Sequence, residues 1–251
     1  MIKGQALFRP LVVLFLLGQV TLYGQSQLNH GRYYNWFDEQ IGRENTGLYE
    51  GILYKEQFRT INQNTPYFSS PDFLKGSVWY KGQPYGELAL KYNVFLDQLL
   101  IKVEDRLGGT TLQLFREQLS RFTIDGHRFL NVWDSEANPG INGFYEVTLQ
   151  TPSFTLLTKH RKKLFDRKDR SSLYYEFLPL PKEYVLQYQG KFHLISSKRD
   201  VTDLFPELQD PINAFYNRAR AQRRTDPQAF TFALFQRIGS LLPLQKSNAR
   251  P

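Results

Sequence analysis

Residues 76–92 read GSVWYKGQPYGELALKY, and the alternation in that stretch sets the fold. Leu88, Leu90 and Tyr92 point one way along an extended chain while Glu87, Ala89 and Lys91 point the other, so one face meets a core and one meets water, as in an antiparallel sheet. Between this run and GSVWY lies KGQPYG, whose Gly82, Pro84 and Gly86 are turn chemistry, and the whole predicts a β-hairpin.

Downstream the same signal recurs at short spacing in FLDQLLIKV, TTLQLF, SRFTI, HRFLNVW, GFYEVTLQ, FTLLTKHRKK, LYYEFL, EYVLQYQ and KFHLI. Gly, Asp, Asn or Pro separates most of them, and no long helical period intervenes to carry a parallel crossover. The expected fold is therefore mainly β (α+β), an antiparallel meander over 73–198 curled into a sandwich or partly closed barrel. Past Asp200 the pattern changes: Asp210-Pro211 and Asp226-Pro227 each read as N-cap followed by proline at the first helical position. Ile212, Phe215, Tyr216 and Ala219 form one apolar stripe and Phe230, Leu234, Ile238 and Leu241 a second, so 199–242 is expected to be a short helical unit packed on the sheet. Arg218, Arg220, Arg223 and Arg224 suit the negative end of the first helix, and residues 243–251 read as a disordered tail.

Upstream, residues 25–72 mix aromatics with Gly, Asn and Ser without a lasting period, which reads as an irregular arm with one or two short strands. Residues 1–24 have the layout of a secretory signal peptide: Lys3 and Arg9, then an unbroken apolar run over 11–17, then small residues, with cleavage after Gly24 preferred over Ser26. Gly18 and Gln19 interrupt the run well short of the roughly 20 apolar residues a spanning helix needs. The chain has no cysteine, which excludes disulfides, thiolate chemistry and a lipid-bearing leader cysteine. About 227 residues would remain, enough for a core without staples. Export to the periplasm, the outer membrane or the exterior is the implied location, with no transmembrane span in the mature chain.

Charge is concentrated. Without Lys3 and Arg9 the formal charge falls from +8 to +6, and residues 158–172, TKHRKKLFDRKDRSS, carry +5 of it, from seven Lys or Arg against two Asp. If residues 154–165 form one strand, Lys159, Arg161 and Lys163 face one way and His160 and Lys162 the other, so the strand must leave the core, turn through DRKDRSS and return as LYYEFL. Lys159, Arg161, Lys162, Lys163, Arg167, Lys168 and Arg170 are thus the candidate anion-binding residues. Three readings stand, favoured in this order: an edge guarded by cations against pairing with another sheet, contact with an anionic envelope polymer or lipid, and nucleic acid. An exported protein meets little nucleic acid, and Phe165 alone is a thin stacking platform.

Catalytic signatures are lacking. His30, His127, His160 and His193 are scattered singly, no phosphate loop or nucleophile elbow occurs, and nothing in the chain proposes a metal or cofactor. The carboxylates Asp97, Glu104, Asp105, Asp125, Asp134, Glu136 and Glu146 sit on or beside strands; two of them, or one with a histidine, could meet in a cleft as hydrolysis of a glycan requires. Convergence among Asp97, Asp125, Glu146 and His127 would favour that chemistry over binding.

The order GSVWYKGQPYGELALKYNVFLDQLLI, SRFTIDGHRF, GFYEVTLQ, a basic LLTKHRKK and a closing DVTDLFPEL resembles a family of uncharacterised exported proteins common in Bacteroidetes, over roughly residues 48–242. The resemblance implies export and a single architecture, and it carries no catalytic or binding residues across. The expectation is a non-catalytic binding or structural component of the cell envelope, partnered by an anionic polymer or another envelope protein, with a hydrolase using paired carboxylates as the alternative.

Overall fold

A computed structural model describes residues 47–61, 63–103, 109–133, 140–169 and 172–242. The expected leader, the first part of the arm, Glu104, Asp105, Asp134, Glu136, Arg170, His30 and the C-terminal tail lie outside the described residues. In chain order the strands are β1 Gly51–Leu53, β2 Leu74–Tyr80, β3 Gln83–Asn93, β4 Gln98–Val103, β5 Thr110–Leu114, β6 Leu119–Ile124, β7 His127–Val132, β8 Gly143–Gln150 and β9 Phe154–Lys159. They continue as β10 Lys162–Asp169, β11 Ser172–Pro179, β12 Glu183–Tyr188 and β13 Lys191–Ile195, before helices α1 Lys198–Leu204, α2 Gln209–Arg218, α3 Arg220–Thr225 and α4 Pro227–Leu241. Among the described residues, eleven strands form one antiparallel sheet in the order β1-β5-β4-β3-β2-β6-β7-β8-β9-β12-β13, while β10 and β11 pair apart from it.

The predicted hairpin is β2–β3, but its turn is only Lys81-Gly82, both at positive φ, as a two-residue turn matching strand twist demands. Gln83, Pro84 and Tyr85 belong to the strand; Pro84 pairs with Trp79 outside the part of β3 that faces β4, so its missing N–H breaks no ladder bond. Asp125-Gly126 and Gln189-Gly190 repeat the same left-handed pair in the β6–β7 and β12–β13 turns. A bulge opposite Ser77, with Glu87 at positive φ, lets Tyr85 and Leu88 share the buried face with Leu90 and Tyr92.

The sheet curls without closing. Four strand spacings separate β3 from β8, about 19 Å in a flat sheet, yet the Tyr92 and Phe144 ring centroids are 5.7 Å apart and those of Tyr92 and Phe129 5.2 Å. The inward side chains of β2 to β8 therefore pack on one another in a core rich in Tyr and Phe, which includes Tyr80, Leu90, Ile101, Phe122 and Phe144. A second core lies on the same face farther along, where Phe154, Leu156 and Leu186 meet Val201, Phe205, Ile212, Phe230, Phe235 and Ile238 of the helical unit. Leu157 and Val185, one residue out of phase with their neighbours, join Tyr145 in a third cluster on the opposite face.

The helical unit sits on the sheet as expected. Asp226 caps α4 by accepting from the Ala229 N–H at 2.9 Å. Asp210 does not cap: a single 3-10 turn at Pro206–Leu208 runs straight into α2, which begins at Gln209, two residues earlier than expected, and places Asp210 in its first turn. The sequence reading missed α1, which Ser197 and Asp200 open with a reciprocal capping box. No helix among the described residues is long and apolar enough to cross a membrane.

Candidate functional site: a basic pocket beside a histidine-bracketed glutamate

The basic run does not form one strand. β9 ends at Lys159, and β10 begins at Lys162 after a break at His160 and Arg161. This corrects the expectation that every cation is carried into solvent: Lys159 is only 5% exposed. Its ammonium donates to Asp97 Oδ2 at 2.8 Å and lies 5.2 Å from the centre of the Tyr145 ring. Burial pushes its pKa down, with Asp97 opposing that shift. Asp97, at positive φ between β3 and β4, also accepts from the Tyr92 hydroxyl at 2.6 Å and from the Phe144 N–H at 3.2 Å. Burial first, and then the Asp97 charge, hold the Tyr92 phenol well above its ordinary value.

Lys162 folds back to donate to the Thr65 and Tyr67 carbonyls at 2.7 and 2.6 Å, tying the hairpin base to the segment before β2, and burial lowers its pKa. Arg161 grips Glu183 with two bonds, Nε at 2.8 Å and a terminal nitrogen at 3.1 Å. Beyond these, β10 and β11 form the expected returning hairpin, with Lys163, Arg167 and Lys168 exposed. Arg167 pairs with Glu176, and Lys163 lies over the Phe165 ring. The hairpin is anchored rather than free. Phe177 packs edge-on to Phe58 and Phe95, and the Tyr175 N–H donates to the Arg59 carbonyl at 2.9 Å.

Lys159, Arg161 and Lys162 converge with Arg116, His160, Asp97 and Asn142 around a concavity of about 380 Å³, within the range of small-molecule sites. Arg116, in a single 3-10 turn before β6, donates to Asn131 Oδ1 at 2.9 Å and the Val132 carbonyl at 3.0 Å, bonds Asn142, and stacks on Trp133. Among the described residues neither Arg116 nor Lys162 pairs with a carboxylate. With Lys159 and Arg161 each answered by one carboxylate and two further cations held by neutral oxygens, the described residues of the pocket carry net positive charge.

Beside it, on the inward face, lies a row across four strands: Phe129, Glu146, Thr158, Tyr184. Its ends belong to the two inner cores and its middle is polar. Glu146 accepts from His127 Nδ1 at 2.6 Å and from His160 Nε2 at 2.5 Å, and Phe68 packs nearly perpendicular to both imidazoles. Burial would raise the Glu146 pKa, but the two imidazole hydrogen bonds and their charges overcome it and hold the carboxyl at about 2. With one oxygen bonded to each ring, Glu146 orients both imidazoles, His127 through Nδ1 and His160 through Nε2.

Sequence reasoning grouped Lys159, Arg161 and Lys162 as one basic cluster and Asp97, Asp125, Glu146 and His127 as a set whose convergence would favour hydrolysis; the structure brings Asp97 to the three cations at one pocket and Glu146 to His127 in one contact. Asp125 instead sits in the β6–β7 turn, and His193 on β13. Arg116 and Asn142 were missed, and a lone arginine in LFREQ carries no local signal of its role. No family model, curated protein or solved structure matches the chain.

Proposed function

We propose that this chain is an exported component of the cell envelope that works by binding, and that the basic pocket takes an anionic group of an envelope polymer or acidic lipid. The observation that carries the reading is the meeting of Arg116 and Lys162 in one concavity, where their partners among the described residues are neutral. An entering anion would replace water around two pre-positioned cations, whose ordering cost folding has already met. Membership of the exported Bacteroidetes family that the sequence resembles belongs to the same proposal. Co-sedimentation of the purified protein with lipopolysaccharide or acidic vesicles tests it: retention at low salt that falls as salt rises supports it, and no retention at low salt overturns it. Export is checked by intact mass, which should show a chain beginning at Gln25; a chain still beginning at Met1 contradicts it.

One contact favours a second reading, hydrolysis of a glycan or small molecule: the His127–Glu146 pair, with the imidazole partly open to solvent. A carboxylate that orients an imidazole is half of a general-base device. A carboxyl held at about 2 has no proton to donate as a general acid at neutral pH. Asp97 is committed to three donors. Turnover of a glycan panel that vanishes in His127→Ala but not in Arg116→Gln would establish hydrolysis over binding.

A further inference from the structure

His160 belongs to two arrangements at once. It lines the basic pocket, and its Nε2 meets Glu146 Oε2 at 2.5 Å. The other Glu146 oxygen holds His127 Nδ1 at 2.6 Å, so one carboxylate serves two imidazoles. The side chains of His160 and Glu146 are 14% and 15% exposed, which keeps their charges from being fully screened by salt. Phe68 and Phe129 pack against the His160 ring and bring no charge. The charged groups that share the pocket lining with His160 are Asp97 from the β3–β4 turn, Arg116 from the 3-10 turn before β6, Lys159 from β9, and Arg161 and Lys162 from the start of the hairpin. Among the described residues the ion pair of His127 is with Glu146 alone.

Imidazole is the side chain whose ordinary charge change falls between about pH 5 and 8. Glu146, held at about 2, stays ionised throughout that range. The cluster of one carboxylate and two rings therefore carries −1 with both rings neutral and +1 with both protonated. This reversal of sign takes place beside a pocket whose described residues already carry net positive charge. At the alkaline end the carboxylate repels an anion entering the pocket, and at the acid end the rings attract it. Linkage is reciprocal: a protonation that strengthens anion binding is itself favoured by the bound anion. We infer that the histidine-bracketed glutamate is a proton switch on the basic pocket, tightening its hold on an anion as the two rings become protonated. The inference rests on the reading of the pocket as an anion site. Burial lowers the pKa of Lys159 and of Lys162, and loss of their protons at the alkaline end would give a dependence of the same sign, so variants of the rings are needed to tell the two apart.

Inorganic sulfate is the probe, because it remains a dianion across the range in which imidazole titrates. It is titrated into the full mature chain at low salt, at pH 8 and at pH 5.5, with binding followed by NMR. In the parent the Kd should be about fivefold or more lower at the acid end. His127→Gln with His160→Gln keeps a hydrogen-bonding side chain at each position and removes the titration, so the difference should shrink to less than about twofold. His193→Gln, on β13 and outside the pocket lining, should keep the parent's dependence. The parent's own ring protons give a second readout that needs no variant: sulfate should raise the titration midpoint of His160 by about half a pH unit and leave that of His193 in place. A Kd equal at the two pH values, a dependence retained in the double variant, or equal displacement of the His160 and His193 midpoints would overturn the switch alone. Sulfate that fails to saturate the protein at either pH would overturn the switch together with the reading on which it rests.

Discussion

Lys159 and Lys163 stand four residues apart in one basic run, yet one is buried against a carboxylate and the other lies in solvent over a phenylalanine ring. The contrast extends to their neighbours: Lys162 folds inward to two carbonyls, while Lys168 is exposed at the hairpin's far end. A run of like charges is thus two things, a base built into the molecule and a tip, the stretch whose cations lie in solvent. Lys159 and Lys162 flank the break at His160 and Arg161, where β9 ends and β10 begins, whereas Lys163 and Lys168 are exposed farther along the hairpin.

The largest effect should come from removing the partner of the buried charge. Asp97→Ala leaves the Lys159 ammonium desolvated and unpaired, and urea unfolding should show a loss of about 3–5 kcal/mol; a loss below about 1 kcal/mol would mean that the base cations are no more structural than those at the tip. Gly143→Ala attacks the same pair from the backbone. Its φ is +113°, and an added Cβ would overlap both Asp97 Oδ2 and Lys159 Nζ, so about 2–3 kcal/mol should be lost, with an unchanged midpoint contradicting the tight approach.

Glu146→Gln sharpens the comparison through pH. The Glu146 pKa is lowered in the folded protein to about 2 from an ordinary 4.5, so its stabilisation is complete above about pH 4.5 and is lost as pH falls through 2. The gap between parent and variant should be about 1–3 kcal/mol at neutral pH and close between pH 4.5 and 2. A gap independent of pH over that window would show that the imidazoles do not hold the carboxylate. The smallest effect belongs to the tip, where Lys163→Ser with Lys168→Ser should shift stability by less than about 0.5 kcal/mol; a larger loss would mean that the tip is packed.

The parts of this structure readable from the sequence are those written locally. Alternation in ELALKY, the left-handed turn residues Lys81-Gly82 and Asp125-Gly126, and the Asp226 cap each depend on neighbours within a few positions. The Ser197–Asp200 capping box was equally local, and overlooked. Asp210 misled because cap chemistry yielded to the preceding 3-10 turn. The site was illegible for a different reason. Asp97 and Lys159 are 62 positions apart, and Glu146 meets histidines 19 positions before and 14 after it, distances that only the pairing order and the curl of the sheet bring to zero. Arg116 gains its role from Asn131, Val132 and Asn142, which no spacing rule connects to it.

The most direct test of base against tip is anion binding by matched variants. Arg116→Gln with Lys162→Gln removes two cations from the pocket, and Lys163→Ser with Lys168→Ser removes two from the hairpin, so net charge falls equally. Co-sedimentation with lipopolysaccharide at low and high salt, on variants whose melting curves confirm folding, should show the pocket pair losing tenfold or more of the parent's affinity and most of its salt dependence. The tip pair should stay within twofold of the parent. Loss confined to the tip pair, or equal in both, would contradict binding at the pocket and return the basic run to a role in guarding an edge.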